Sequence, residues 1–299
     1  MKQAFDERNR DIQVCVNGVL RHRDEPAVSV FDSVVQGGDA VWEGLRVYDG
    51  RIFRLDAHLD RLERSAKAIA FDDIPSRKRI IGDIRKTLAA NGMRDGVHIR
   101  LTLTRGVKYT SGMDPRLNTG GPTLIVVAEF KPPVYDKAGV KLATVSVRRP
   151  PPEVVDQKIH SNNLLNSILA KLEATRAGAD DALMLDTRGF VAETNATHLF
   201  LVNDGEVGTP DTIACPEGIT RATVIELCER HGIPCRVRDI HVEEFKDADE
   251  VFCTGTMGEL VAVTEIDDRR VGKSAGPVTS RISGLFAELT AAEGTPVVD

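Results

Sequence analysis

The sequence predicts a mixed α/β chain of the α+β type, folded as two domains. Short alternating apolar runs recur at residues 13–30, 40–48, 98–104, 123–130, 140–148, 182–186 and 198–202, which is the period of strands. Between them, apolar residues recur three and four apart, as on one face of a helix. Near the middle, Lys131-Pro132-Pro133-Val134-Tyr135-Asp136 breaks both periods. The expected division is therefore an N-terminal domain over 1–130, a linker over 131–138 and a C-terminal domain over 139–299.

The first run centres on Asn17-Gly18, a turn pair that predicts an opening hairpin. Residues 40–48 read as a strand, Asp49-Gly50 as its turn and Arg51 as the start of the return. The first helix spans 55–70, with Leu55, Leu59, Leu62, Ala66 and Ile69 on one face. His58, Arg61 and Ser65 share the ridge beside that face. Such a ridge is solvated in most helices, but a guanidinium at the edge of a buried face also suits a phosphate. A second helix over 77–91 ends at Asn91-Gly92. Residues 105–121 form a long loop, a candidate lid or contact with a second subunit.

The second half opens with a strand over 140–148 and the run Pro150-Pro151-Pro152. Lys158 follows in a polar lead-in to a helix whose face is Leu164, Leu165, Ile168, Leu169 and Leu172, closed by Gly178. By composition Lys158 is a surface amine. The sharper reading makes it a Schiff-base nucleophile held beside a pocket. Short strands in meander order come next, with Glu193 at the end of one. Gly218-Ile219-Thr220 leads into a helix over 222–231 and leaves backbone N–H groups aimed outward, a ready anion site. The turn Gly255-Thr256-Met257-Gly258 offers amides and a hydroxyl to a second face of the same anion. The tail from 291 is expected to be loose.

The 299 residues are 41% hydrophobic and 28% charged, with a net charge of -6. No basic field points to nucleic acid or to an acidic membrane surface. The five cysteines are scattered and form no Cys-x-x-Cys pair, which fits a reducing compartment. Cys228, His231 and Cys235 lack a fourth partner at metal-site spacing, so no metal is expected. No apolar run reaches membrane-spanning length and the polar N-terminus has no signal core, which makes a cytoplasmic small-molecule protein the expectation.

The order of these signals resembles the class IV (fold type IV) pyridoxal-phosphate aminotransferases, and the branched-chain amino-acid enzymes in particular. The likeness runs from Val41-Trp42-Glu43-Gly44-Leu45-Arg46 to Gly276-Pro277-Val278-Thr279. It is carried by the stretch from Phe53 to Leu62, by Lys158, by Gly189 to Glu193 with Leu199-Phe200, by Gly218-Ile219-Thr220-Arg221, and by Thr254-Gly255-Thr256.

The resemblance implies a small N-terminal α/β domain and a larger C-terminal domain of mixed sheets or barrel. It places the active site between them, completed by a loop from a second subunit. It implies pyridoxal 5'-phosphate held as a Schiff base by Lys158. Arg61, Gly218, Ile219, Thr220 and Thr256 would bind the phosphate, and Glu193 the pyridine nitrogen. Substrate contacts would come from Trp42, Arg46, His98, Arg100 and Met257.

The partners implied are an α-amino acid and an α-keto acid, with a homodimer or higher homo-oligomer as the working unit. Where branched-chain enzymes carry a tyrosine after the lysine, this chain has Ser161-Asn162-Asn163, and Asn163 is taken as the cofactor contact. An Arg-x-His carboxylate trap of the D-amino-acid enzymes is missing from the loop after Thr104. The alternatives that stay open are a D-amino-acid or R-amine transaminase, a lyase of the aminodeoxychorismate type, and a non-catalytic binding module.

Overall fold

The computed structural model describes residues 4–133, 135, 138–272 and 275–298. Val134, Asp136 and Lys137 of the predicted linker lie outside the described residues. The chain divides into two compact units. One holds the chain up to Pro132, the segment Ile159–Asn163 and the residues from Thr290 on; the other holds Pro133–Lys158 and Leu164–Leu289.

In the first unit, β1 (Gln13–Val16) and β2 (Val19–His22) pair around Asn17 and Gly18. Both turn residues have positive φ, 49° and 79°, the geometry of the hairpin turn that asparagine and glycine favour. The short α1 (Ser33–Gly37) is capped by Asp32, and β3 (Ala40–Tyr48) turns at Asp49-Gly50 into β4 (Arg51–Ile52). Two helices, α2 (Leu55–Ala68) and α3 (Arg77–Ala90), precede β5 (Val97–Thr104) and β6 (Thr123–Phe130). The strands lie in the order β4-β3-β5-β6-β1-β2.

Strand alternation sorts this sheet into two faces. Val41, Leu45 and Val47 of β3, with Ile99 and Leu101 of β5 and Val126 of β6, join Leu55, Leu59 and Leu62 of α2 and Ile84 and Leu88 of α3 in one apolar core. Trp42, Gly44, Arg46, His98 and Arg100 therefore fall on the opposite face. Glu43 has the parity of the apolar side, which puts a carboxylate under α2.

The second unit begins with β7 (Val140–Thr144), shorter than the predicted strand, although the Val145 and Arg149 N–H groups still donate to Leu183 and Leu185. Then come α4 (Leu165–Arg176), β8 (Asp181–Leu185), β9 (Val191–Thr194), β10 (His198–Asn203) and β11 (Glu206–Thr209). Next in the chain are α5 (Ile219–Arg230), β12 (Cys235–Val237), α6 (Val242–Asp247), β13 (Glu250–Gly255), β14 (Glu259–Ile266) and β15 (Arg269–Arg270). These strands form a nine-stranded mixed sheet in the order β12-β11-β10-β13-β14-β7-β8-β9, with β15 on β14. The pairs β11–β12, β14–β7 and β7–β8 are parallel.

Two expectations change. The face that α4 buries is its alanine side, Ala170 and Ala174, packed with Val145, Ala182 and Met184. Its larger apolar stripe stays in solvent, with Leu165, Ile168, Leu169 and Leu172 exposed by 60%, 53%, 46% and 48%. Periodicity reports that a helix is amphipathic; here small side chains allow close approach to the sheet and win the inward face. The C-terminal tail is also not loose. After α7 (Pro277–Ala292), β16 (Thr295–Pro296) pairs with β4 at the sheet edge, and Val297 enters the first unit's core. Among the described residues no helix is long and apolar enough to cross a membrane.

Candidate active site

In the first unit a cluster of charged side chains is built around Glu43, whose side chain is fully buried. Arg61 grips it along one edge, Nε to Oε1 and Nη2 to Oε2, both at 2.7 Å. His58 Nδ1 lies 2.7 Å from Oε2, and His160 Nδ1 lies 3.4 Å from Oε1. His58, Arg61 and Ser65 form the α2 ridge noted in the sequence, and all are buried rather than solvated. Ser65 Oγ accepts the His160 N–H at 3.0 Å. Burial alone would push Glu43 up, but the charge of Arg61 and its hydrogen bonds, then His160, hold it well below the usual carboxylate range.

The opposite face of the sheet carries the predicted substrate residues. Pairing of β3 with β5 sets Arg46 opposite His98 and Gly44 opposite Arg100, with Trp42 opposite Thr102. The Arg100 guanidinium lies 3.4 Å from the Trp42 ring centroid and donates to Asn162 Oδ1 at 2.7 Å. Burial pulls Arg100 down to about 10. Burial, with the charges of Lys131, Arg46 and Arg100, pulls His98 down to about 3, so the imidazole is neutral at pH 7. His98 Nε2 is buried without a hydrogen-bond partner among the described residues. A Cβ at Gly44 would stand 3.2 Å from that nitrogen, so glycine keeps the space beside it open. Asn162, not Asn163, bonds Arg100; Asn163 is exposed and donates its N–H to Ser161 Oγ at 2.9 Å.

The second unit by itself holds a buried acidic side chain and a helix start suited to an anion. Glu193 on β9 pairs with Arg149, Nη2 to Oε1 at 2.9 Å, and Oε2 lies 3.7 Å from His198 Nδ1. Arg149 is fixed further by Asn166 Oδ1 at 3.1 Å, Ser167 Oγ at 3.0 Å and the Thr194 carbonyl at 3.0 Å. Cys215 Sγ is 3.9 Å from His198 Nδ1; burial, then the Glu193 charge, pushes this thiol well above its ordinary range. Glu193, His198 and Cys215 lie close enough to share a cation, but Arg149 already neutralises the carboxylate that would bind it.

Helix α5 starts at Ile219, and its first helical hydrogen bond runs from Ala222 N–H to the Gly218 carbonyl. The amides of Ile219 and Thr220 precede that bond and have no helical acceptor, as an anion site requires. A Cβ at Gly218 would fall 2.2 Å from the His198 ring, so only glycine lets this backbone pass. The Arg221 side chain turns back to Thr209 Oγ1 and the Pro210 carbonyl. Thr256 and Met257 are half-buried in the turn between β13 and β14, closed by the Gly258 N–H on the Gly255 carbonyl at 3.2 Å.

Lys158 stands in the turn before α4 with its side chain exposed. Its backbone N–H donates to Asp156 Oδ1 at 2.9 Å, and its amine has no hydrogen-bond or ion-pair partner among the described residues.

Residues 40–266 match the family model described as Amino-transferase class IV. The chain belongs to the class IV aminotransferases. It is 54% identical over 291 residues to branched-chain-amino-acid aminotransferase-like protein 2 of Arabidopsis thaliana, covering 97% of this chain and 52% of that protein. Against this relative and a second Arabidopsis thaliana protein like it, the chain spans about half the curated length. A putative branched-chain-amino-acid aminotransferase of Methanocaldococcus jannaschii is 39% identical over 290 residues, covering 96% of this chain and 100% of the relative.

Among solved structures, the T.th. branched-chain amino acid aminotransferase complexed with N-(5'-phosphopyridoxyl)-L-glutamate superposes with a TM-score of 0.87 at 33% identity. That match covers 94% of this chain and 95% of the other. The branched-chain aminotransferase of Thermoproteus uzoniensis with norvaline gives 0.87 at 31% identity, with the same coverage. Within the class IV family frame, Glu43, His160, Arg149 and His198 are the functional candidates that sequence reasoning missed. Only Glu43 left a signal, as a carboxylate at an inward position between Val41 and Leu45.

Proposed function

We propose that this chain is a pyridoxal-phosphate-dependent aminotransferase that moves an amino group between an α-amino acid and an α-keto acid, with a branched-chain-like substrate first. The observation that carries the reading is the second unit's pair of features, a buried carboxylate held by Arg149 and a helix start with open amides beside a glycine that admits no side chain. A phosphorylated pyridine needs both. The donor set fits it, since Glu193 is a buried acid paired with Arg149 that would take a ring nitrogen, while Gly218, Ile219, Thr220 and Thr256 are small or offer N–H and O–H groups to a phosphate.

When bound, the cofactor supplies an electron sink for the pair left as the α-carbon loses its proton. The chain's residues do the rest. Arg149 pairs with Glu193, which would hold the pyridine nitrogen. Glu43 fixes the plane of Arg61 through two hydrogen bonds, and Arg61 would be the cation offered to the phosphate. Lys158 would carry the cofactor covalently through its exposed amine. Arg46 and Arg100 would take substrate carboxylates, with the Trp42 ring holding Arg100 in place. Two cations on one face favour amino and keto acids over simple amines as substrates. Met257 and Trp42 would face the substrate side chain. Asn163, which is exposed, would be the cofactor contact in the place of the tyrosine.

The working unit is proposed as a homodimer or higher homo-oligomer in the cytoplasm, a reading supported by the exposed α4 stripe and by five unpaired cysteines. The test mixes cofactor-loaded protein with L- and D-leucine, L-glutamate and both enantiomers of an arylalkylamine, and follows cofactor absorbance in single turnover. Conversion by an L-branched amino acid, and borohydride fixation of the cofactor on Lys158, are expected. A spectrum unmoved by every amino acid would overturn the assignment.

A further inference from the structure

The predicted linker gives one side chain to the interior of the second unit. Tyr135 is half-buried against the apolar core built on β8, β10, β13 and β14, and every residue it meets below belongs to that same unit. Its hydroxyl donates to Asp181 Oδ2 at 2.6 Å, and the Lys171 amine holds the other oxygen of that carboxylate at 2.7 Å. The Thr197 side chain also hydrogen-bonds the phenol. Burial, then the charge of Asp181, pushes the phenol above its ordinary range, so it is a donor at neutral pH.

A tyrosine anchored at its far end has little freedom to move its ring. That ring lies on the backbone of Gly258, where a Cβ would stand 2.5 Å from Tyr135 Cδ2 and 2.6 Å from Cε2. At the other end of the same turn, a Cβ at Gly255 would stand 3.1 Å from Thr197 Cγ2. Neither glycine has a positive φ, so close approach and not backbone conformation calls for glycine at both positions. Thr197 is itself held, its N–H donating to Thr194 Oγ1 at 2.7 Å and the two hydroxyls 2.8 Å apart. The turn between β13 and β14 is therefore gripped at both glycines, by an aromatic ring and by a methyl group, and Thr197 ties the two grips together. Thr256 and Met257 stand between them.

We propose that Tyr135 is a positioning residue of the phosphate site: anchored on Asp181 and Thr197, its ring sets the Gly255–Gly258 turn so that Thr256 presents its hydroxyl and N–H to the phosphate. Hydrogen bonds weaken steeply once the donor leaves its line, so a small shift of the turn is enough to lose such a contact. The inference rests on the reading of Thr256 as a phosphate contact, and adds to it a residue that acts through the turn.

The experiment measures, by absorbance titration, the affinity of the chain for pyridoxal 5'-phosphate and for pyridoxal, which lacks the phosphate. It compares wild type with Tyr135→Leu, Tyr135→Phe, Gly258→Ala and Thr256→Ala. A general loss of structure weakens both ligands alike, whereas a displaced turn weakens only the phosphorylated one. Tyr135→Leu keeps an apolar side chain in the core and removes the ring with its anchor. It should weaken pyridoxal 5'-phosphate by about tenfold, the worth of one hydrogen bond to a charged group, and leave pyridoxal within about twofold of wild type. Tyr135→Phe keeps the ring on Gly258 and should restore the phosphate ligand to within about threefold of wild type. Gly258→Ala presses a methyl group on the ring and moves the turn without removing the aromatic. It should show the same selective loss, and it decides the matter if Tyr135→Leu does not fold.

Equal losses for the two ligands in Tyr135→Leu and Gly258→Ala, or no loss for either, would overturn the role of Tyr135. Thr256→Ala should itself lose affinity only for the phosphorylated ligand. If it binds both ligands as wild type does, the reading of Thr256 fails and takes the inference with it, so the two failures are distinguishable.

Discussion

His98 shows how one residue's surroundings turn into a pH dependence. Its imidazole is buried on a sheet face among Lys131, Arg46 and Arg100, and titrates at about 3 in the folded chain against about 6.5 free. Between those values the unfolded state binds more protons, so stability is complete above about pH 6.5 and falls as the pH drops through that window. At ~1.4 kcal/mol per unit, His98 alone removes about 2 kcal/mol between pH 6.5 and pH 5. His98→Gln should flatten this slope, as read by urea unfolding at the two pH values. A slope equal to that of wild type would rule out the assigned environment. None of this was legible as a titration in the sequence. Alternation put His98 and Arg100 on one face, but Arg46 joins them through the β3–β5 register, which is not a local signal. The same holds for Arg149 and Glu193, which are far apart in the chain and meet only through packing.

At the scale of elements, the readable parts were those whose cause is local. The Asn17-Gly18 hairpin, the starts of α2 and α3, and the glycine before α5 follow from turn chemistry and periodicity and stand where the sequence placed them, while α2 and α3 end two residues and one residue earlier than expected. What periodicity could not choose was which α4 face turns inward, since both an alanine side and a leucine side can pack. At α5 the local signal carries a consequence. The Gly218 backbone passes so close to the His198 ring that Gly218→Ala must move either the ring, held near Glu193 and Cys215, or the helix start. Overpacking of this kind costs about 1–3 kcal/mol. We expect a lowered Tm together with at least a tenfold loss of affinity for pyridoxal phosphate, measured by absorbance titration. An alanine variant with unchanged affinity would show that the amides of Ile219 and Thr220 do not hold the phosphate.

For the whole molecule, the feature that asks for an explanation is the α4 stripe. Leu165, Ile168, Leu169 and Leu172 are each about half exposed and recur on one helix face, while Ala170 and Ala174 already supply the contact with β7 and β8. Contiguous apolar surface of this kind is rare on a protein that works as a monomer. A second copy of the chain is the partner that the homo-oligomer reading supplies, and a two-fold contact would bring the same stripe from both copies together. Replacing Leu169 and Leu172 by Glu places two charges in that contact and none in the alanine-lined core, so the fold should survive. Sedimentation should then show a smaller species than wild type, with circular dichroism unchanged. If the double variant keeps the wild-type mass, this stripe is not the surface through which copies associate.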